Sequence, residues 1–226
     1  MSTVLMYSGG FDSVAARVIW KPDKLVYCMT DSRYQGAEMA RLPNDCEITD
    51  LRELHRYERP DAIIPLRNLF FIAIGAQYGD TIGLAATHGN SMNDKTETFA
   101  ELSTALLSYL WAPQPGWTLG KVVTVHLPVK AFTKRELVKA CERRNELNIL
   151  AQSFSCYTPV TTGGRWEACG ECNPCARKWA AFASEGHGDR VTDASAYVEK
   201  RILPDVLAGQ SKRPFEDLMF MEAMGR

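Results

Sequence analysis

Two hydrophobic periods alternate along the chain. Thr3–Tyr7 is a short apolar run, Ser8-Gly9-Gly10 breaks it, and a helical pattern follows from about Asp12 to Trp20. Lys24–Met29 reads as a second strand, Asp31–Leu42 as a helix and Glu47–Asp50 as a short third strand. Asn68–Tyr78 places Leu69, Phe70, Ile72, Ala73 and Ala76 at helical spacing, and Thr81–Thr87 follows as a strand. Phe99–Leu110 predicts another helix and Val122–Leu127 another strand. Thr133-Lys134-Arg135-Glu136 is a capping box that opens a helix reaching about Arg144, the threonine hydroxyl satisfying a first-turn amide while the glutamate reaches back.

Strands alternating with helices predict an α/β fold: a mostly parallel sheet with helices on both faces and ligands at the carboxyl ends of the strands. From about Gln152 to Gly188 the periodicity lapses and Cys, Gly, Pro and Trp dominate. After Val191 the chain reads as one or two helices interrupted by Pro204 and Pro214, with no legible chemistry. The expected organisation is an α/β domain over 1–150, a small metal-organised lobe over 151–190 packed on it, and a C-terminal helical segment over 191–226.

Composition narrows the function. At 46% hydrophobic residues, 226 residues can bury a core without covalent staples. A net charge of −1 disfavours a protein that coats nucleic acid. No apolar run approaches the roughly 20 residues of a membrane span, and the N-terminus shows no secretory signal, so a cytoplasmic protein is expected. Seven cysteines, four of them late in the chain, point in a reducing compartment to a metal rather than to disulfides.

The first chemical motif is Ser8-Gly9-Gly10-Phe11-Asp12-Ser13, at a strand-to-helix bend. Paired glycines open backbone conformations closed to other residues, so consecutive amides can converge on an anion at the positive end of a helix. Asp12 is expected to meet Mg²⁺ or to cap the helix. Gly-Gly alone would favour a plain capped strand–turn–helix junction, a reading that the full hexapeptide at the first strand reverses; no Gly-Lys-Ser/Thr follows, which excludes a Walker A loop. The second motif is Cys156, then Cys169, Cys172 and Cys175 in Cys-x2-Cys-x2-Cys spacing. Four thiolates suit a closed, structural Zn²⁺ site; an iron–sulfur cluster is the rival reading.

The hexapeptide resembles the SGGxDS signature of the PP-loop family, the N-type ATP pyrophosphatases, with an adenine nucleotide alpha hydrolase-like fold. Together with PLRNLFF (65–71), LAATHGN (84–90), LPVKAFTKREL (127–137), SFSCYTP (153–159) and ACGECNPCARKWAAF (168–182), it resembles the QueC family across roughly residues 3–187. The resemblance implies an ATP-dependent C–N ligase. ATP adenylates the carboxylate of 7-carboxy-7-deazaguanine, ammonia displaces AMP to give the amide, and a second ATP drives dehydration to 7-cyano-7-deazaguanine in queuosine biosynthesis. It also implies site residues. Ser8, Gly9, Gly10, Phe11, Asp12, Ser13, Met29, Arg67, Asn68 and Gly89 would bind ATP. Asp12, Arg67, Asn90, Asp94 and Lys134 would face the substrate. The implied cofactors are ATP, Mg²⁺ and structural Zn²⁺, and the family's tendency to dimerise implies a homodimer. Phe70 and Phe71 are expected in the core.

The acceptor side departs from the family. A segment like YPDCRPEF is replaced by Met92–Phe99, which keeps only Asp94 and Phe99, and a YxQRHxxE-like segment keeps Tyr34, Gln35 and Glu38 without the Arg-His pair. Three alternatives therefore stand: an enzyme that stops at the amide, one that joins the activated acid to another amine such as a protein N-terminus in phage modification or anti-phage defence, or another PP-loop enzyme that modifies tRNA.

Overall fold

The computed structural model describes residues 1–60, 63–89, 92–116 and 120–226. β1 (Thr3–Met6) leads through the glycine bend into α1 (Phe11–Trp20); β2 (Lys24–Met29), α2 (Gln35–Met39) and β3 (Cys46–Asp50) follow. Next come α3 (Arg67–Tyr78), β4 (Thr81–Leu84), α4 (Glu97–Leu110), β5 (Thr124–His126), α5 (Lys134–Glu142) and α6 (Leu147–Ala151). All five strands are parallel, in the order β3-β2-β1-β4-β5. The chain runs outward from β1 to β3 and then returns to the other side of β1 for β4. The crevice at the carboxyl ends of β1 and β4 is therefore the topological switch point, where open α/β sheets take their ligands.

β1 is the middle strand and is apolar on both faces. Its alternation divides the core: Leu5 packs with Phe11, Leu137, Leu150 and Phe182, whereas Val4 and Met6 pack with Val26, Ile72, Ile82 and Val123. Helices α1, α5 and α6 cover the first face, and α3 and α4 the second. The capping box is formed as expected: Thr133 Oγ1 accepts from the Glu136 amide at 3.2 Å, and the Glu136 carboxylate accepts from the Thr133 amide at 2.7 Å.

Several expected elements are shorter, for local reasons. The helix expected over Asp31–Leu42 starts only at Gln35, because Asp31 takes a left-handed conformation (φ 57°) and its amide is held by Gln35 Oε1 at 2.7 Å. β4 stops at Leu84, where the Ala86 amide turns back onto the Leu84 carbonyl at 3.0 Å.

The stretch expected to lack periodicity contains an antiparallel hairpin, β6 (Val160–Thr162) with β7 (Arg165–Glu167), and a full helix, α7 (Asn173–Ala183). Pro174 sits in the first turn of α7, where its missing N–H costs nothing. The buried face of α7 runs through Ala176, Trp179, Ala180 and Phe182, inside the core shared with α1 and α5. The tail forms α8 (Ser195–Tyr197), a π-helical stretch at Val198–Ile202, α9 (Leu203–Leu207) and α10 (Pro214–Ala223). Pro214 thus begins a helix rather than interrupting one, whereas Pro204 lies just past the π-helical stretch, where the regular α-helical ladder is broken. α10 packs on α7, and Val198, Leu203, Met219 and Phe220 join the same core. No helix among the described residues is long and apolar enough to cross a membrane.

Candidate active site

The bend between β1 and α1 is built from two stretches far apart in the chain. Gly9 holds φ 71°, a region that costs any other residue strain. Gly10 is the N-cap residue, and a Cβ there would lie 3.2 Å from Ser8 Oγ and 3.5 Å from the Phe154 carbonyl. The Ser8 and Ser13 hydroxyls face each other at 3.4 Å, and Ser13 also donates to the Gly10 carbonyl at 3.0 Å. From about 144 positions further along the chain, the Phe154 amide donates to the Gly9 carbonyl at 2.8 Å and Ser155 Oγ accepts from the Phe11 amide at 2.9 Å. The first amides of a helix lack intrahelical acceptors and favour an anion; in α1 the Phe11 amide is taken by Ser155, and Asp12 and Ser13 follow it along the cavity wall.

A cavity of about 300 Å³ opens there. Its wall carries Ser8, Gly10, Phe11, Asp12 and Ser13 from the bend, Tyr27, Cys28 and Thr30 from the end of β2, and Arg67, Asn68 and Phe71 from α3. Six basic side chains line it (Arg67, Lys95, Lys134, Arg177, Lys178, Arg213) against two acidic ones (Asp12, Glu38), so the cavity is suited to an anion.

Lys134, at the first turn of α5, forms an ion pair with Asp12 and lies 4.8 Å from the centroid of the Phe11 ring. Asp12 does not cap α1, whose N-cap residue is Gly10 without a side-chain bond. Glu38 accepts from the Tyr27 hydroxyl at 2.9 Å. Burial pushes its carboxyl up to about 7, against that hydrogen bond and the charge of Arg67. Lys178 donates to the carbonyls of Ala151 and Ser153, and burial pulls its ammonium down to about 7. Burial likewise lowers Lys95, and the nearby Asp12 pulls it back up. Tyr34 and Tyr157 stack at 5.8 Å between centroids, forming an aromatic wall, and Arg67 reaches the Tyr34 hydroxyl at 3.5 Å.

Of the residues expected to bind ATP or substrate, Ser8, Gly10, Phe11, Asp12, Ser13, Arg67, Asn68 and Lys134 line this one cavity. Gly9 shapes the bend without lining it. Met29 is absent from the wall, which takes Cys28 and Thr30 on either side of it. Gly89 lies under the ring of Phe215, and Asp94 turns its carbonyl to Asn68 Nδ2 at 3.1 Å. Asn90 falls outside the described residues. Phe70 is 44% exposed and so is not the core residue expected, whereas Phe71 is half-buried and packs against the core while also lining the cavity. Sequence reasoning missed Ser155, Arg177, Lys178 and Arg213. Ser155 had a signal, one position before Cys156; Arg213 had none.

Cys156, Cys169, Cys172 and Cys175 bring their sulfurs within 4.8 Å of one another. The separations Cys156–Cys169, Cys156–Cys172 and Cys172–Cys175 are 3.5, 4.0 and 3.4 Å. A tetrahedron with Zn–S bonds of about 2.3 Å has edges of about 3.8 Å, so the four cysteines fit a metal ion of that kind. The Glu171 amide points at Cys169 Sγ at 3.3 Å, the sort of outer contact that orients a thiolate. Cys28 and Cys141 are buried and lie apart from the group.

The family model described as "Queuosine biosynthesis protein QueC" matches residues 37–186, about two thirds of the chain and all four clustered cysteines. A 7-cyano-7-deazaguanine synthase of Citrifermentans bemidjiense is 24% identical over 226 residues, covering 83% of this chain and 96% of the relative. Those of Methanococcus vannielii (24%, 72% of this chain and 69% of the relative) and Chlorobaculum tepidum (29%, 58% and 56%) are also similar. With its five-stranded parallel sheet and four-cysteine cluster, this chain belongs to the QueC family.

Proposed function

We propose that the protein is an ATP-dependent C–N ligase that makes 7-cyano-7-deazaguanine from 7-carboxy-7-deazaguanine and ammonia. The observation that carries the reading is the excess of basic side chains around a cavity that the glycine bend and the N-terminal end of α1 line. A nucleotide triphosphate and a carboxylate both need that environment, and water alone leaves a carboxylate inert toward amines.

In the first half-reaction the carboxylate oxygen attacks the α-phosphorus and pyrophosphate leaves. The amides of the bend and Lys134 hold the developing charge on phosphate oxygens. Lys134 is kept in place by Asp12 until the anion competes for it. Ammonia then attacks the acyl carbon, AMP departs with the bonding electrons, and one proton is released. Glu38 is the lining group suited to receive it, because its carboxyl titrates near neutrality. In the second round the amide oxygen attacks the α-phosphorus of another ATP, pyrophosphate leaves again, and loss of AMP and of both protons from the nitrogen yields the nitrile. Mg²⁺ would neutralise the triphosphate, with Asp12 the carboxylate nearest the bend. Zn²⁺ in the four-cysteine cluster would be structural, since four thiolates leave no open position. The reaction would run in the cytoplasm.

A second reading has one observation in its favour. Met92 and Lys95, from the segment that departs from the family, line the cavity. An altered acceptor side would let the enzyme stop at the amide or use a different amine. Mass spectrometry after incubation with ATP, Mg²⁺ and 7-carboxy-7-deazaguanine, with and without ammonia, separates these outcomes. Nitrile supports the first reading and amide alone the second. No AMP under any condition sinks both.

A further inference from the structure

Arg213 lies beyond residue 186, where the match to the family ends, yet it lines the cavity. Two contacts bring it there. Phe215 seats its ring against Gly89, so closely that a Cβ on that glycine would come within 2.2 Å of ring carbon, and meets the ring of His88 edge-on at 5.9 Å. Glu216, with a side chain only 7% exposed, sits between two guanidiniums, 3.0 Å from Arg177 and 3.6 Å from Arg213. The tail is thereby pinned to the turn after β4 and to α7.

One buried carboxylate shared by two guanidiniums leaves a net positive charge. Each guanidinium has five N–H donors in a fixed fork, and Glu216 has only two oxygens to offer. Donors remain on both arginines, and both face the cavity. This pair stands at the β4 side of the bend. His88, under Phe215, gives its amide to the Phe132 carbonyl at 2.8 Å, two residues before Lys134. Tyr27, Cys28 and Thr30 line the opposite end, at β2.

We infer that Arg213 is a polyphosphate-binding residue, delivered by the C-terminal segment, that grips the pyrophosphate portion of the bound nucleotide beside Arg177. Glu216 is a positioning residue that aims both guanidiniums. The inference rests on the nucleotide reading above and adds a part of the site that lies outside the family match.

Calorimetric titration of the full chain tests it, with inorganic pyrophosphate, ATP and AMP as separate ligands. Arg213→Ala should weaken pyrophosphate and ATP about tenfold, the loss expected for a charge-assisted contact, and leave AMP within about twofold. Arg213→Lys should recover part of the loss. The side chain is 31% exposed, so both variants should melt near the wild type. Unchanged pyrophosphate and ATP binding in Arg213→Ala overturns the assignment while leaving the nucleotide reading intact. A parallel loss of AMP also overturns it, because it reveals a merely structural role. A wild-type chain that binds neither ATP nor pyrophosphate removes the nucleotide reading and this inference together.

Discussion

Replacing Cys172 by serine should unsettle far more than a surface hairpin. Cys172 is the residue before α7, Cys175 lies in its first turn, and the same helix carries Trp179, Ala180 and Phe182 into the main core. Cys156 follows Ser155, which holds the Phe11 amide of the glycine bend. A structural zinc–thiolate site supplies about 10–16 kcal/mol of apparent binding energy, comparable to the about 5–15 kcal/mol that holds a whole domain. Losing even a third of it, about 3–5 kcal/mol, would lower the melting temperature by about 6–20 °C for a chain of this size. The assay is metal content by mass spectrometry paired with thermal melting followed by circular dichroism. Cys46→Ser, outside the cluster, is the control. A Cys172→Ser protein that keeps one zinc per chain and melts within 2 °C or so of wild type would refute the reasoning.

Lys134→Met should reduce AMP formation by about 10²-fold, the usual loss when a charge-stabilising donor is removed; activity within threefold or so of wild type would count against its role. Glu38 gives a pH prediction. Its folded value, near 7, lies above the ordinary 4.5, so its contribution is fully present below about pH 4.5 and is lost as pH rises through 7. Glu38→Gln should therefore be more stable than wild type at pH 8, by up to about 3 kcal/mol, with the advantage gone near pH 4.5. Denaturant titrations at the two pH values check this, and parallel curves contradict it. Thr133→Ala removes the N-cap of α5 and should cost about 1 kcal/mol, read as a fall of about 2–4 °C in melting temperature.

The parts of the site visible in the sequence were those written in consecutive residues. Ser8–Ser13 and the late cysteines carry their chemistry at fixed local spacing, and Thr133–Glu136 announces its own helix start. Residues brought in from afar left less trace. Arg177 and Arg213 become neighbours only through Glu216, and no local pattern distinguishes them from surface arginines. Helix α7 was hidden because only Trp179 and Phe182 are large apolar residues on its buried face, and Pro, Cys and Ala fill the rest, too little to raise a hydrophobic stripe above the surrounding Cys, Gly and Pro. Asp31 bent the chain where periodicity suggested a continuous helix, since a polar residue able to adopt a left-handed backbone outweighed the pattern. Phe71 packs against the core as its period predicts, but the same period gives no sign that it also lines the cavity.

The bond from the Phe11 amide to Ser155 spans 144 positions of the chain. A polypeptide still emerging from the ribosome can lay β1 beside β2 and β4 long before position 155 has been made, but it cannot brace the bend. On the proposed function, capture of nucleotide would thus be among the last abilities the newborn chain acquires, and a truncated nascent product would hold the sheet without competing for the cell's ATP.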